Sequence, residues 1–351
     1  MLSRVAENLY WISRYVERAE GVARLLEDAY SIELETGAQG SGTGPLDSVL
    51  LMLKAQNAFA RSRYAAQKAA DGSFSRSLSE SRESIVWFLT FNRGGGVSIR
   101  ETIGYARENA RATQETVSGE AWSQLNKLYL FLNSANAEKR FSASPSRYLS
   151  RIRRECLLFS ALIDDTLPRA EAYHFLQLGR YLERVDMLSR ALNVHCHADS
   201  AQITASASDG TEEALASTPW ASLLRGTFAY ESYLKQSRER IDPVGVVRYL
   251  LLEADFPRSM RFGIGRCLDS LRSIAGGTGY GAAAERHLGQ LDSELRYMDV
   301  EDLFQRGIGS FLVGVQDTCS AAAHEVHLAY FRIESGIHRS PRQPHGTAGS
   351  V

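Results

Sequence analysis

Apolar side chains recur along almost the whole chain at helical spacing. In the first segment Val5, Leu9, Ile12, Val16, Ala19, Ala23 and Leu26 fall on one side when successive residues turn by about 100°. Sustained apolar–polar alternation, the strand signal, is missing from the sequence. The prolines agree, since Pro45, Pro145, Pro168, Pro219, Pro243 and Pro257 sit at the edges of periodic segments and Pro341 and Pro344 lie in the tail. The pattern predicts helices at about 3–34, 47–70, 77–91, 98–116, 119–134 and 145–165, then at about 168–196, 220–237, 243–254, 258–275, 282–298 and 304–334. Ser98-Ile99-Arg100-Glu101 reads as a capping box, and Asp242-Pro243 as an N-cap followed by proline at the first helical position. The stretches 36–44 and 198–218, rich in small and hydroxyl residues, read as loops, and 335–351 as a disordered tail.

The pattern also repeats. Shifted by 166 positions, Arg14-Tyr15-Val16-Glu17-Arg18-Ala19-Glu20 falls on Arg180-Tyr181-Leu182-Glu183-Arg184-Val185-Asp186, and Arg24 falls on Arg190. At an offset of 161, Phe88-Leu89 and Ser98-Ile99-Arg100 fall on Tyr249-Leu250 and Ser259-Met260-Arg261. Chance matching of Arg and Glu in helical sequence explains one segment better than two. The expected architecture is therefore an all-α helical bundle of two duplicated, pseudo-twofold-related halves, residues 1–165 and 166–334, followed by the tail 335–351.

Composition narrows the function classes. The chain has 351 residues, 23% charged, and a formal net charge of -1, so no global basic field points to nucleic acid or an anionic membrane. Cys156, Cys196, Cys267 and Cys319 are widely spaced and form no CxxC pair, unlike a zinc or secreted disulfide framework. No apolar run approaches the roughly 18 residues of a membrane span, and charges interrupt the first turns where a signal peptide would be apolar. The expected compartment is the cytoplasm.

Candidate chemistry concentrates on one helical face. Glu7, Arg14, Glu17, Arg18, Gly21 and Arg24 lie opposite the apolar stripe of the first helix, with Tyr10 and Trp11 on the same side, and Arg180, Glu183, Arg184 and Arg190 correspond to them in the second half. A solvated face of i,i+3 and i,i+4 pairs accounts for either helix alone. Recurrence in both halves, and arginine in place of lysine throughout, point further, because planar guanidinium groups suit multi-donor contacts with carboxylate or phosphate. The two helices are expected to lie together around a partly buried Glu/Arg network, either architectural or binding an anionic or peptide-like ligand.

Other motifs carry less. Gly94-Gly95-Gly96 precedes a helix and could offer amides to an anion, but it lacks a P-loop lysine and reads as a turn, as does the stretch 276–281. His324-Glu325-Val326-His327 breaks the HExxH pattern, a single ExxH at Glu171–His174 is short of a di-iron set, and His195-Cys196-His197 reads as a helix end. No metal and no cofactor is expected. Glu7, Glu17, Glu120 and Glu183 are the candidates for acid/base work, and Trp11 and Trp122 are pocket-lining or core residues.

The segment from Met1 to Glu20, together with 106–111, 118–126 and 178–186, closely resembles the bacterial alpha-E family. The resemblance implies an all-helical protein with recurring glutamates and arginines, here Glu7, Arg14, Glu17, Arg18, Arg107, Glu108, Arg111, Glu120, Arg180, Glu183 and Arg184. It also implies association with circularly permuted ATP-grasp ligases and transglutaminase-like peptidases. The expectation is an accessory or scaffold protein of a peptide- or amide-ligase system, partnering an ATP-grasp enzyme through the duplicated Arg/Glu surface or cleft, with neither nucleic acid nor membrane as partner. The alternative is an enzyme using Glu as acid/base and Arg as anion clamp on a peptide-like or carboxylate substrate.

Overall fold

The computed structural model describes residues 1–36, 44–69, 82–202, 219–236 and 241–332. Among these residues the chain is helical, with no strand. The first helices are α1 (Ser3–Thr36), α2 (Pro45–Met52), α3 (Gln56–Ala69), α4 (Arg82–Phe91), α5 (Ile99–Arg111), α6 (Gly119–Asn133), α7 (Ala137–Ala143) and α8 (Pro145–Thr166). There follow α9 (Glu171–Gln202), α10 (Pro219–Gly226), α11 (Tyr230–Gln236), α12 (Pro243–Leu252), α13 (Met260–Ala275), α14 (Ala282–Arg296), α15 (Val300–Arg306) and α16 (Ile308–Val326), which ends in a π-helical turn, His327–Phe331.

Local chemistry sets many of the boundaries. Pro45, Pro145, Pro219 and Pro243 each begin a helix, where a missing N–H costs nothing. Ser98, Ser118 and Ser259 accept backbone N–H bonds from the third residue beyond, and Asp242 accepts one from Gly245. At Ser98 only half of the expected capping box forms. Glu101 turns its carboxylate to the Gly94 and Gly96 amides instead, so the glycine run does present N–H groups to an anion, and that anion is Glu101.

Several predicted helices are interrupted. The helix read at 47–70 is broken between α2 and α3 by Lys54 at φ 52°, and the helix read at 220–237 by Phe228 at φ 57°. Both breaks use one bonding pattern, with Ala55 N–H donating to Leu50 O (2.9 Å) and Ala229 N–H to Leu224 O (2.7 Å). A left-handed Lys or Phe carries no sequence mark of the kind glycine gives, so periodicity runs through it. Gly307, at φ 92°, divides α15 from α16 inside the stretch read as 304–334, and α7 falls in an expected linker. α5 stops at Arg111 rather than 116, and α9 runs to Gln202, so 198–202 is helix where a loop was expected. Most of the two expected loops, and the whole tail, lie outside the described residues.

Packing is organised about one pair of helices. α1 lies along α9 in the most extensive helix contact among the described residues. α5 and α8 flank α1, and α6 touches both of them, closing a four-helix ring. α13 and α16 flank α9 in the same way, and α14 touches both. Each central helix is thus covered on several sides, so little of its circumference reaches water. Leu9, Ile12, Ala23 and Leu26 of α1 are fully buried, and so, nearly, are Glu17 and Glu20 on its supposedly solvated side. Tyr10 was placed on the polar side by the helical wheel, yet it is a core residue.

Candidate functional site

The seam between α1 and α9 holds the charged residues that periodicity brought to one face. Arg14 Nε donates to Glu183 Oε2 (2.8 Å), and Arg18 donates through Nε to Oε1 (2.5 Å) and through Nη2 to Oε2 (3.1 Å). In return Arg184 clamps Glu17 through Nε to Oε1 (2.6 Å) and Nη2 to Oε2 (2.9 Å), with Arg180 at 3.7 Å behind it. Each Glu-Arg pair therefore gives its carboxylate to the opposite helix and receives that helix's guanidinium. The exchange is reciprocal and is made within one chain.

Burial makes these pairs consequential. Glu17 and Glu183 are 6% and 1% exposed. Desolvation alone would raise the Glu17 carboxyl, but Arg184, with Arg258 and Arg180 beside it, outweighs burial and holds it down to about 2. Glu183 is likewise lowered, with Arg14 and Arg18 overcoming its desolvation. Glu17 accepts two guanidinium hydrogen bonds and Glu183 three, and both carboxylates are nearly buried.

The network extends unequally at its two ends. Arg190 pairs bidentately with Asp186 at 3.0 Å on each oxygen, while Arg24 stands 3.3 Å from Glu20 and donates to the Gly226 carbonyl. Arg14 also donates to the Tyr10 hydroxyl (3.0 Å), whereas Arg180 reaches Asp164 (3.0 Å). The clearest asymmetry is Arg258, which lies 3.2 Å from Glu20 and 3.9 Å from Glu17. Offset by 161 positions, the first half has Val97 there. Sequence reasoning missed Arg258 and undervalued Glu20. A charged residue standing against an apolar one in the internal alignment was the available signal.

The remaining candidates are elsewhere. Arg107 bonds Glu108 and Asn126 and lies over the Tyr129 ring, and Glu108 also pairs with Arg111 in a solvent-exposed cluster. Glu120 is exposed in the first turn of α6. Glu7 is half-buried beside His327 (3.9 Å). Trp11 stacks on Tyr15, and Arg14 sits over its ring, so it backs the seam while remaining part of the packing. Trp122 is packed against the core.

Beside the seam, a cavity of about 30 Å³ is lined by Glu17, Gly21, Arg24, Arg184, Met187 and Arg258, among others. It contains one of the two clamped glutamates and leaves Glu183 and Arg18 outside.

The sequence matches, over residues 1–331, a family described as a predicted alpha-helical domain with a conserved ER motif. The chain belongs to the Alpha-E family. In this Alpha-E protein the Glu-Arg pairs Glu17-Arg18 and Glu183-Arg184 form the reciprocal clamp. Uncharacterised proteins of Mycobacterium bovis and of two strains of Mycobacterium tuberculosis are each 20% identical over 308 residues, covering 86% of this chain and 33% of their own. The chain thus spans about a third of the length of the curated relatives it matches. No solved structure matches it. No described helix is long and apolar enough to cross a membrane.

Proposed function

We propose that this Alpha-E chain is an accessory unit of a peptide- or amide-ligase system, partnering an ATP-grasp-type ligase in the cytoplasm. The observation that carries the reading is the engagement of Glu17 and Glu183 in the seam. Each accepts at least two guanidinium N–H bonds, and each is held below the usual carboxylate range. A general acid or base works best with a pKa near the working pH and with access to the proton it moves. These two glutamates have neither, so they serve the joint between α1 and α9.

Two further facts support an accessory role. About two thirds of each mycobacterial relative lies outside the matched segment, so there the Alpha-E unit is covalently joined to additional polypeptide. The matching order of helices and rings around α1 and α9 also supports descent of residues 1–165 and 166–334 from one unit. A transglutaminase-like protein is a second candidate partner on the family resemblance.

Co-expression of the tagged chain with an ATP-grasp-type ligase of the same genome tests the proposal. Co-elution of the two, with a change in ligase turnover when the Alpha-E chain is present, is the expected result. Separate elution with unchanged turnover would remove the basis for partnership.

A further inference from the structure

We propose that the cavity beside the α1–α9 seam is a binding site for a compact carboxylate group, held by Arg24, Arg184 and Arg258. The inference goes beyond the partnership above and stands or falls without it.

Charge is the first argument. The cavity wall and the ion pairs joined to it carry four guanidinium groups, from Arg24, Arg180, Arg184 and Arg258, against three carboxylates, from Glu17, Glu20 and Asp164. One positive charge is left over in a place largely removed from water, and an uncompensated charge there is costly. Arg258 bears that excess. Its guanidinium is lowered to about 10, chiefly by burial and further by the neighbouring Arg24 and Arg184, despite the help of Glu20. A monoanion would neutralise the site; a dianion would overshoot.

Unused hydrogen-bonding capacity is the second argument. Arg24 Nε and Glu20 Oε1 stand 3.3 Å apart, both buried and out of line with each other, so among the described residues each lacks a partner in hydrogen-bond geometry. Among the described residues Arg258 makes one hydrogen bond, to Glu20. The guanidinium groups of Arg24, Arg153 and Arg258 also gather around the Phe228 ring at 4.9, 5.2 and 4.7 Å, and Phe228 is held at φ 57°. Guanidinium donors in a fixed plane suit the two oxygens of a carboxylate.

Size is the third. A cavity of about 30 Å³ exceeds the roughly 10–15 Å³ that one water needs, so a small polar head group such as a carboxylate fits. The surrounding recess of about 400 Å³, which includes open solvent, leaves room for the body of a ligand.

The test is thermal unfolding of the whole chain titrated with sodium acetate, then with sodium chloride and inorganic phosphate, at constant ionic strength balanced by a bulky sulfonate. Acetate is expected to raise the unfolding temperature saturably, as ligand binding to the native state requires. Arg258→Gln should weaken the apparent affinity at least tenfold. Because that variant also loses an ion pair, Gly21→Ala serves as the second: its methyl group enters the cavity against the flexible end of Met187 at 2.8 Å and leaves every arginine in place. It should fold normally by circular dichroism and lose the acetate response, while exposed Arg111→Gln keeps it. An acetate effect that does not saturate, that chloride or phosphate reproduces, or that survives in Gly21→Ala would overturn the assignment.

Discussion

Gly179 of α9 lies so close to α1 that a Cβ on it would stand 2.2 Å from the carbonyl oxygen of Tyr10. The missing side chain lets the two backbones approach, and that approach brings Glu183, one turn further on, into reach of Arg14 and Arg18. Gly179→Ala should push the helices apart and destabilise the protein by about 3 kcal/mol or more, the upper end of overpacking costs. Gly289→Ala is the control, since α14 leaves nothing within 4 Å of a Cβ there. It should stabilise by about 0.5–1 kcal/mol through helix propensity. Urea unfolding of both variants checks the pair; equal stabilities would show that close approach at Gly179 is not needed.

Removing one member of the buried clamp should be worse than removing both. Glu17→Met strands Arg184, and Arg184→Met strands Glu17, each at a cost of about 3–5 kcal/mol. The double variant Glu17→Met/Arg184→Met should cost markedly less than the two single changes together. A double-mutant cycle by denaturant titration measures this, and simple additivity would mean that the pair is not coupled.

The same clamp sets a pH dependence. Glu17 is held at about 2 in the folded chain, and Glu183 is also lowered, so both folded values lie below those of the unfolded state. Their stabilisation is therefore complete above an unfolded value of about 4.3 and is lost as pH falls toward 2. Unfolding free energy should be level from neutral pH down to about 5, then drop steeply. Glu17→Gln should show a shallower drop over that range; a drop as steep as wild type would count against Glu17 as a source of it.

Ser98 and Ser259 cap matching helices. Each hydroxyl accepts an N–H from three residues on, Glu101 at 3.2 Å and Phe262 at 3.1 Å, and each donates to a preceding carbonyl, Asn92 at 2.6 Å and Glu253 at 2.5 Å. Both are buried, so alanine at either position leaves a carbonyl without its donor. Each substitution should cost about 1–2 kcal/mol. Thermal melts that show no loss in either variant would contradict the capping role.

Thiol chemistry offers a local probe of packing. Cys156, Cys267 and Cys319 are buried, and burial pushes all three thiols up, Cys319 to about 12. Cys196, near the end of α9, is partly exposed. A thiol-specific reagent should modify Cys196 first under native conditions and the others only on unfolding. Rapid native labelling of any of the three would show that the core opens.

How far the sequence carried can be traced at particular residues. Period 3.6 in the apolar positions gave helices almost everywhere, and Pro45, Pro219, Ser98 and Asp242 marked real starts, because these signals act within a few residues. Lys54 and Phe228 were illegible, since a left-handed residue with a side chain leaves no compositional trace. Among site candidates, Glu17, Arg18, Glu183 and Arg184 meet across the seam, while Arg107, Glu108, Arg111 and Glu120 lie apart from it.

By itself, then, the sequence determined an all-helical chain of the Alpha-E family and the face on which its Glu-Arg pairs stand, because helical periodicity and capping are local. Only the tertiary structure decided that this face is turned inward. A helical wheel reports which residues share a side, not whether water or another helix covers that side. The close approach at Gly179 placed α9 there, and the reciprocal clamp, the intrusion of Arg258 and the cavity beside it all follow from contacts between residues about 160 to 240 positions apart.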